Sequence, residues 1–104
     1  KLKTKANVGV TTVGIYTAPA ATTTVVIGIT MANTSGSGVN VGVGITRAGT
    51  TEDVKLLKNA PIPSGSSLEF MSGNKIVLEA TDTVVVDSDT NNSVDASLTI
   101  MEIT

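Results

Sequence analysis

The side chains able to do chemistry in this 104-residue chain form a short set, because His and Cys are both absent. Without an imidazole or a thiolate, nucleophilic catalysis is left with a Ser–Lys pair or a carboxylate dyad. Ser64, Ser66 and Ser67 lie near Lys58 in sequence, yet they sit in a Pro/Gly turn where serine is ordinary turn chemistry. Glu69, Glu79, Asp82, Asp87 and Asp95 are spread one per strand or turn, the pattern of solvated faces. The residues therefore predict no catalytic site and no enzyme activity.

The best metal candidate is Asp87-Ser-Asp89-Thr-Asn91, whose alternating oxygen ligands match the opening of a calcium loop. The match then fails, since Asn92 stands where the turn-making Gly belongs and Leu98 where the bidentate Glu belongs. A hairpin turn explains the same residues, so neither metal nor cofactor is predicted. The sequons at Asn33 and Asn91 are turn residues by default and matter only on a secretory route. Stacking of bases or sugar rings needs exposed aromatics, and Tyr16 and Phe70 are the only two. Phe70 alternates with Leu68 and is assigned to the core. That leaves too little for an oligonucleotide groove or a stacking lectin site, while a sugar held by Asp/Asn hydrogen bonds alone stays open.

The elements that position these residues are strands. Val25, Ile27, Ile29 and Met31 recur at every second position, as do Val39, Val41, Val43 and Ile45, which is the period of a pleated strand. Thr22–Asn33 and Val39–Arg47 are expected to pair through Thr34–Gly38 as a hairpin with both apolar rows on one face. Burying each Val or Ile contributes roughly 1.5–3 kcal/mol, more than an exposed ion pair.

Around that pair, strands are expected over Ala6–Val10, Thr12–Tyr16, Val54–Asn59, Ser67–Met71, Lys75–Glu79 and Thr83–Asp87, with a last strand running to the C-terminus. Ala18-Pro19 breaks pairing. Residues 48–53 read as an exit loop, and Ser72-Gly73-Asn74 and Ala80-Thr81-Asp82 as turns. Ala60–Gly65, with Pro61 and Pro63, reads as an extended link from one sheet to the other. The result is an all-β chain, residues 1–104 forming a single antiparallel β-sandwich or jelly-roll-like domain of about eight strands. The expected core is Val25, Ile27, Ile29, Val41, Val43, Leu68, Phe70, Ile76, Leu78, Val84, Val86, Leu98 and Ile100.

Charged residues make up only 15% of the chain and the net charge is −2, which argues against electrostatic capture of nucleic acid. Such a surface fits a protein partly covered by neighbours, and a Thr/Ser-rich solvated face reads the same way. The basic start Lys1–Lys5 is followed by Thr and Gly and not by an apolar signal core. No stretch reaches the roughly 18 apolar residues of a membrane span. The start at Lys1 without Met implies either processing or numbering from the first ordered residue.

The C-terminal strand carries the candidate contact residues. Val94, Ala96, Leu98 and Ile100 are apolar at even positions, and then Met101 and Ile103 are apolar at odd ones around Glu102. That switch needs either a bulge that returns them to the core or a second apolar environment on the other face. If the strand is a sheet edge, Met101 and Ile103 invite pairing with another chain.

Tyr16-Thr-Ala-Pro-Ala20, Thr24-Val-Val-Ile-Gly-Ile-Thr-Met-Ala-Asn-Thr34, Leu56-Leu-Lys-Asn-Ala-Pro-Ile-Pro-Ser-Gly65, Lys75-Ile-Val-Leu-Glu-Ala-Thr-Asp82 and Ser97-Leu-Thr-Ile-Met-Glu-Ile103 together resemble small all-β virion proteins of tailed bacteriophages. The likeness is greatest to those of contractile-tailed and cyanobacterial phages. One departure is Thr81, where a turn-making Gly is expected before Asp82. The resemblance implies a non-enzymatic virion subunit: a capsid decoration (cement) protein or a neck or tail component. Its expected partners are copies of itself, as a homo-oligomer, and other virion proteins such as the major capsid or tail proteins, with no nucleic acid and no membrane. A sugar- or receptor-binding module of a fibre or adhesin is the rival expectation.

Overall fold

Short runs with Val, Ile or Leu at every second position, cut by Gly, Pro, Asn and Ser, favour strands. They become nine strands in the computed structural model, which describes residues 1–47, 53–70 and 76–103 without the side chains of Asp53 and Phe70. They are β1 (Leu2–Val8), β2 (Val13–Thr17), β3 (Thr23–Asn33), β4 (Val39–Thr46), β5 (Asp53–Ile62), β6 (Ser67–Phe70), β7 (Ile76–Leu78), β8 (Thr83–Ser88) and β9 (Val94–Ile103). One sheet runs β1-β9-β3-β6, with β7 also on β3, and the other runs β2-β8-β4-β5. Every pairing is antiparallel. The partners nest: β1 with β9, β2 with β8, β3 with β6 and β7, and β4 with β5. The chain is thus one long antiparallel ribbon, folded at β4–β5 and rolled so that its pairs alternate between two packed sheets. That is a jelly-roll sandwich.

The expected β3–β4 hairpin does not form: the two strands lie in opposite sheets and face each other across the core. A hairpin and a crossover both bury the two apolar rows, so alternation alone does not choose between them. The choice is made at Asn33, a buried amide whose Nδ2 donates to the carbonyls of Ser37 at 2.8 Å and Ile62 at 2.9 Å. Its Oδ1 accepts from the backbone N–H and the hydroxyl of Ser35. Those bonds turn residues 34–38 out of the first sheet and tie them to the end of β5.

The apolar phase of β3 also differs from the expected one. Thr24 and Val26 are buried, then Ile29 and Met31, while Val25 is half-buried and Ile27 is exposed. Val26 pairs with Ile100 and Gly28 with Thr99, so Ile27 is an extra residue, a bulge that swaps the faces of everything before it. Of the expected core, Ile29, Val41, Val43, Leu78, Val84, Val86, Leu98 and Ile100 are buried, and Leu68 and Ile76 pack half-buried against them. Val8, Met31, Ile62 and Val94 are among the further residues that belong to it. The side chain of Phe70 lies outside the described residues.

The first strand is Leu2–Val8 and not Ala6–Val10, so the basic start lies in the sheet as an edge strand. Lys3 and Lys5 stand opposite Leu98 and Ala96, on the inward side of that edge, where charge discourages further strand pairing. The fifth strand continues past Asn59 through Pro61, which an edge strand tolerates. The link after it carries the chain to the other sheet as expected. The exit loop over residues 48–52, the end of the expected strand at Met71, the turn Ser72-Gly73-Asn74 and Lys75 lie outside the described residues.

Candidate functional site

Met101 and Ile103 stand on β9, which lies between β1 and β3, so the strand is an interior one and the condition of a sheet edge is not met. The switch of phase after Ile100 needs no bulge in β9. Its even positions point inward through Glu102, and the irregularities in its two ladders fall on β1 and β3. Met101 and Ile103 therefore project from the outer face of the five-stranded sheet, each about half exposed.

Other apolar side chains join them. Val25 sits opposite both Met101 and Val77, which makes a row across three strands, and Leu2 sits opposite Thr99 two residues along. With the bulged Ile27, the exposed members of this group range from 42% to 66% solvent-accessible. Among the described residues, none of the outward positions in that half of the face is charged. On the same face, beyond the Thr99 row, a hollow of about 320 Å³ is lined by the small side chains of Thr4, Ala6, Thr30, Ala32 and Ser97 together with the charged Lys5 and Asp95. The outer face thus has a raised apolar half and a depressed half.

Behind the raised half, on the inner side, lies a polar lock. The hydroxyl of buried Tyr16 donates to Glu102 Oε2 at 2.6 Å and lies 2.9 Å from Thr24 Oγ1, which leaves the Thr24 hydroxyl as donor in that second bond. Lys1 Nζ forms an ion pair with Glu102, and Lys3 Nζ stands 5.9 Å from the Tyr16 ring centroid. The Lys1 ammonium, followed by the Tyr16 hydroxyl, holds the Glu102 carboxyl below its ordinary value. Burial, then the bond to Glu102, pushes the Tyr16 hydroxyl up, and Glu102 raises Lys1. The cluster fixes β1, β2, β3 and β9 to one another.

The remaining sequence candidates serve the turns. Ser64 Oγ donates to the Ser35 carbonyl at 2.9 Å, and Ser66 N–H to the Pro63 carbonyl. Asp87 Oδ2 accepts from the Thr12 hydroxyl, Asp89 Oδ1 from the Asn40 N–H, and Asn91 Oδ1 from the Val10 N–H. The three are thus spent on two neighbours, the loop between β1 and β2 and the strand β4. Among the described residues no three His, Cys, Asp or Glu gather as metal ligands. The sequon residue Asn33 is buried, and Asn91 is exposed.

One carboxylate departs from the solvated pattern expected of it. Asp82 is buried, accepts from the Glu79 N–H at 3.0 Å and pairs with Arg47 Nε at 3.2 Å. The signal available in the sequence was an Asp closing a turn directly before the Val84–Val86 run, with an Arg ending a strand elsewhere. What the alternation did not reveal was the nested pairing that brings the two ends together. No protein-family model matches the chain, and no curated protein or solved structure is significantly similar to it.

Proposed function

We propose that the chain is a non-enzymatic structural subunit of a tailed-phage virion, a capsid decoration protein or a neck or tail component that works through protein–protein contacts. The observation that carries this reading is the uncharged apolar half of the five-stranded sheet's outer face, built from the last strand and its neighbours. Soluble monomers rarely leave such a patch uncovered. The jelly-roll strand order supports it at the level of fold, since capsid domains use that architecture. Lectin domains use it as well, and a fold alone does not assign a function. The sequence resemblance to small virion proteins favours the first of the two.

The test is to purify intact particles and measure the copy number of the chain in them by quantitative mass spectrometry. Hundreds of copies per particle are expected. A handful of copies together with glycan binding would favour the receptor-binding rival, and absence from the particle would overturn the virion assignment.

A further inference from the structure

We propose that the outer face of the five-stranded sheet is the interface of a symmetric dimer of this chain, two copies packing face to face about a two-fold axis that follows the Leu2–Thr99–Gly28 row. The inference rests on the reading of that face as a contact surface, and it names the occupant.

The geometry comes from the register. Leu2, Thr99 and Gly28 form one row across β1, β9 and β3. Two residues along β9 to one side, about 7 Å away, stands the raised row of Met101, Val25 and Val77. Two residues to the other side, at the same distance along β9, stands the low row of Thr4, Ser97 and Thr30, which ends in the exposed Glu69 on β6. A half-turn about the middle row reverses the strands and keeps each strand over its own copy. It sets Met101 and Val25 of one copy over Ser97 and Thr30 of the other, inside the hollow, and does the same in return. At the far end it brings Ile103 over Asp95, whose Oδ1 already accepts from the Asn7 N–H at 3.0 Å. Met101 and Val25 thus meet the hollow of the other copy in both directions, as an isologous contact requires, while Val77 and Ile103 meet Glu69 and Asp95 at the polar rim.

The middle row permits close approach. A Cβ added at Gly28 would meet nothing within 4 Å, so the β3 end of the row is low, and Leu2 at its other end meets the Leu2 of the second copy across the axis. The area is of the right order. Four strands about 4.8 Å apart and the ten residues of β9 give a face of roughly 19 × 34 Å, about 650 Å², close to the roughly 800 Å² that each partner of a standard interface buries. A second copy supplies both the matching relief and the matching size.

Sedimentation velocity over a range of concentrations tests the dimer. The wild-type chain is expected to reach twice its 10.5 kDa mass. The Met101→Asp, Ile103→Asp double variant is expected to lose the dimer and still unfold cooperatively, at a melting temperature that no longer depends on concentration, because both side chains face solvent in the single chain. The chain contains no Cys, so Thr99→Cys can be joined to its copy by a short bismaleimide, with Lys58→Cys, exposed on the other sheet, as the control that stays unlinked. A wild-type monomer at every concentration, a dimer that survives the double Asp change, or equal linking at Lys58→Cys would overturn the proposal. A monomer that nevertheless decorates particles would sink the dimer and leave the virion role standing, with another virion protein on this face. A dimer missing from particles would do the reverse.

Discussion

Thr81 holds a left-handed backbone with φ at 66°, a conformation that a β-branched side chain resists. Its N–H donates to the Ala18 carbonyl at 2.8 Å, so the turn between β7 and β8 keeps the strain in return for a bond to the loop after β2. Thr81→Gly should relieve it. Release of roughly 1–3 kcal/mol of strain, less the entropy that Gly adds to the unfolded chain, leaves a gain of about 1 kcal/mol. In a thermal melt that is a rise of about 5 °C, and an unchanged or lower midpoint would show that the turn is not strained. At the same scale, the lock around Glu102 sets a pH window. Its carboxyl is held below 4.5 in the folded chain, so its contribution is present above that value and is lost as pH falls through the folded one. Tyr16 is raised above 10.0 and Lys1 above 10.5, so their contributions are present below those values and lost as pH rises past them. Melting temperature against pH should therefore be a plateau with falling limbs on both sides, and Glu102→Gln should weaken the acid limb. An acid limb identical in that variant would mean that other carboxylates govern it.

The strands themselves were readable in the sequence because alternation is a local property, and Val41/Val43, Val84/Val86 and Leu98/Ile100 fall where the alternation places them. Ile27 was not readable. Val25, Ile27, Ile29 and Met31 look like one row, and only the partner strand shows that one residue is extra. Met101 and Ile103 need no such displacement: β9 keeps its alternation, so their row, which had to be either core or a second surface, is the second. Close approach of strands was equally silent. A Cβ at Gly44 would stand 2.8 Å from the Val54 carbonyl oxygen, so Gly44→Ala must push β5 away from β4. A cost of about 1–3 kcal/mol is expected, read as a lower melting midpoint. Gly36→Ala, whose added methyl meets nothing within 4 Å, should leave the midpoint in place. Equal midpoints for the two would mean that the β4–β5 ladder yields freely there.

At the scale of the whole molecule, fold class was legible and topology was not. The expected hairpin joined neighbours in sequence, whereas the roll pairs Leu2 with Thr99 and Val13 with Val86. Only the multiple bonds of Asn33 mark the crossover, and a lone Asn beside a Gly/Ser loop reads the same in either topology. The nested ribbon also decides how the molecule bears tension. Because β1 and β9 are antiparallel neighbours, residues 1 and 103 lie at the same end of one ladder. A pull that separates those residues loads the ladder one bond at a time, and the first strand peels away like a zipper at low force. A load that enters through the broad faces meets both sheets at once, so the molecule bears force through its flanks and yields at its ends.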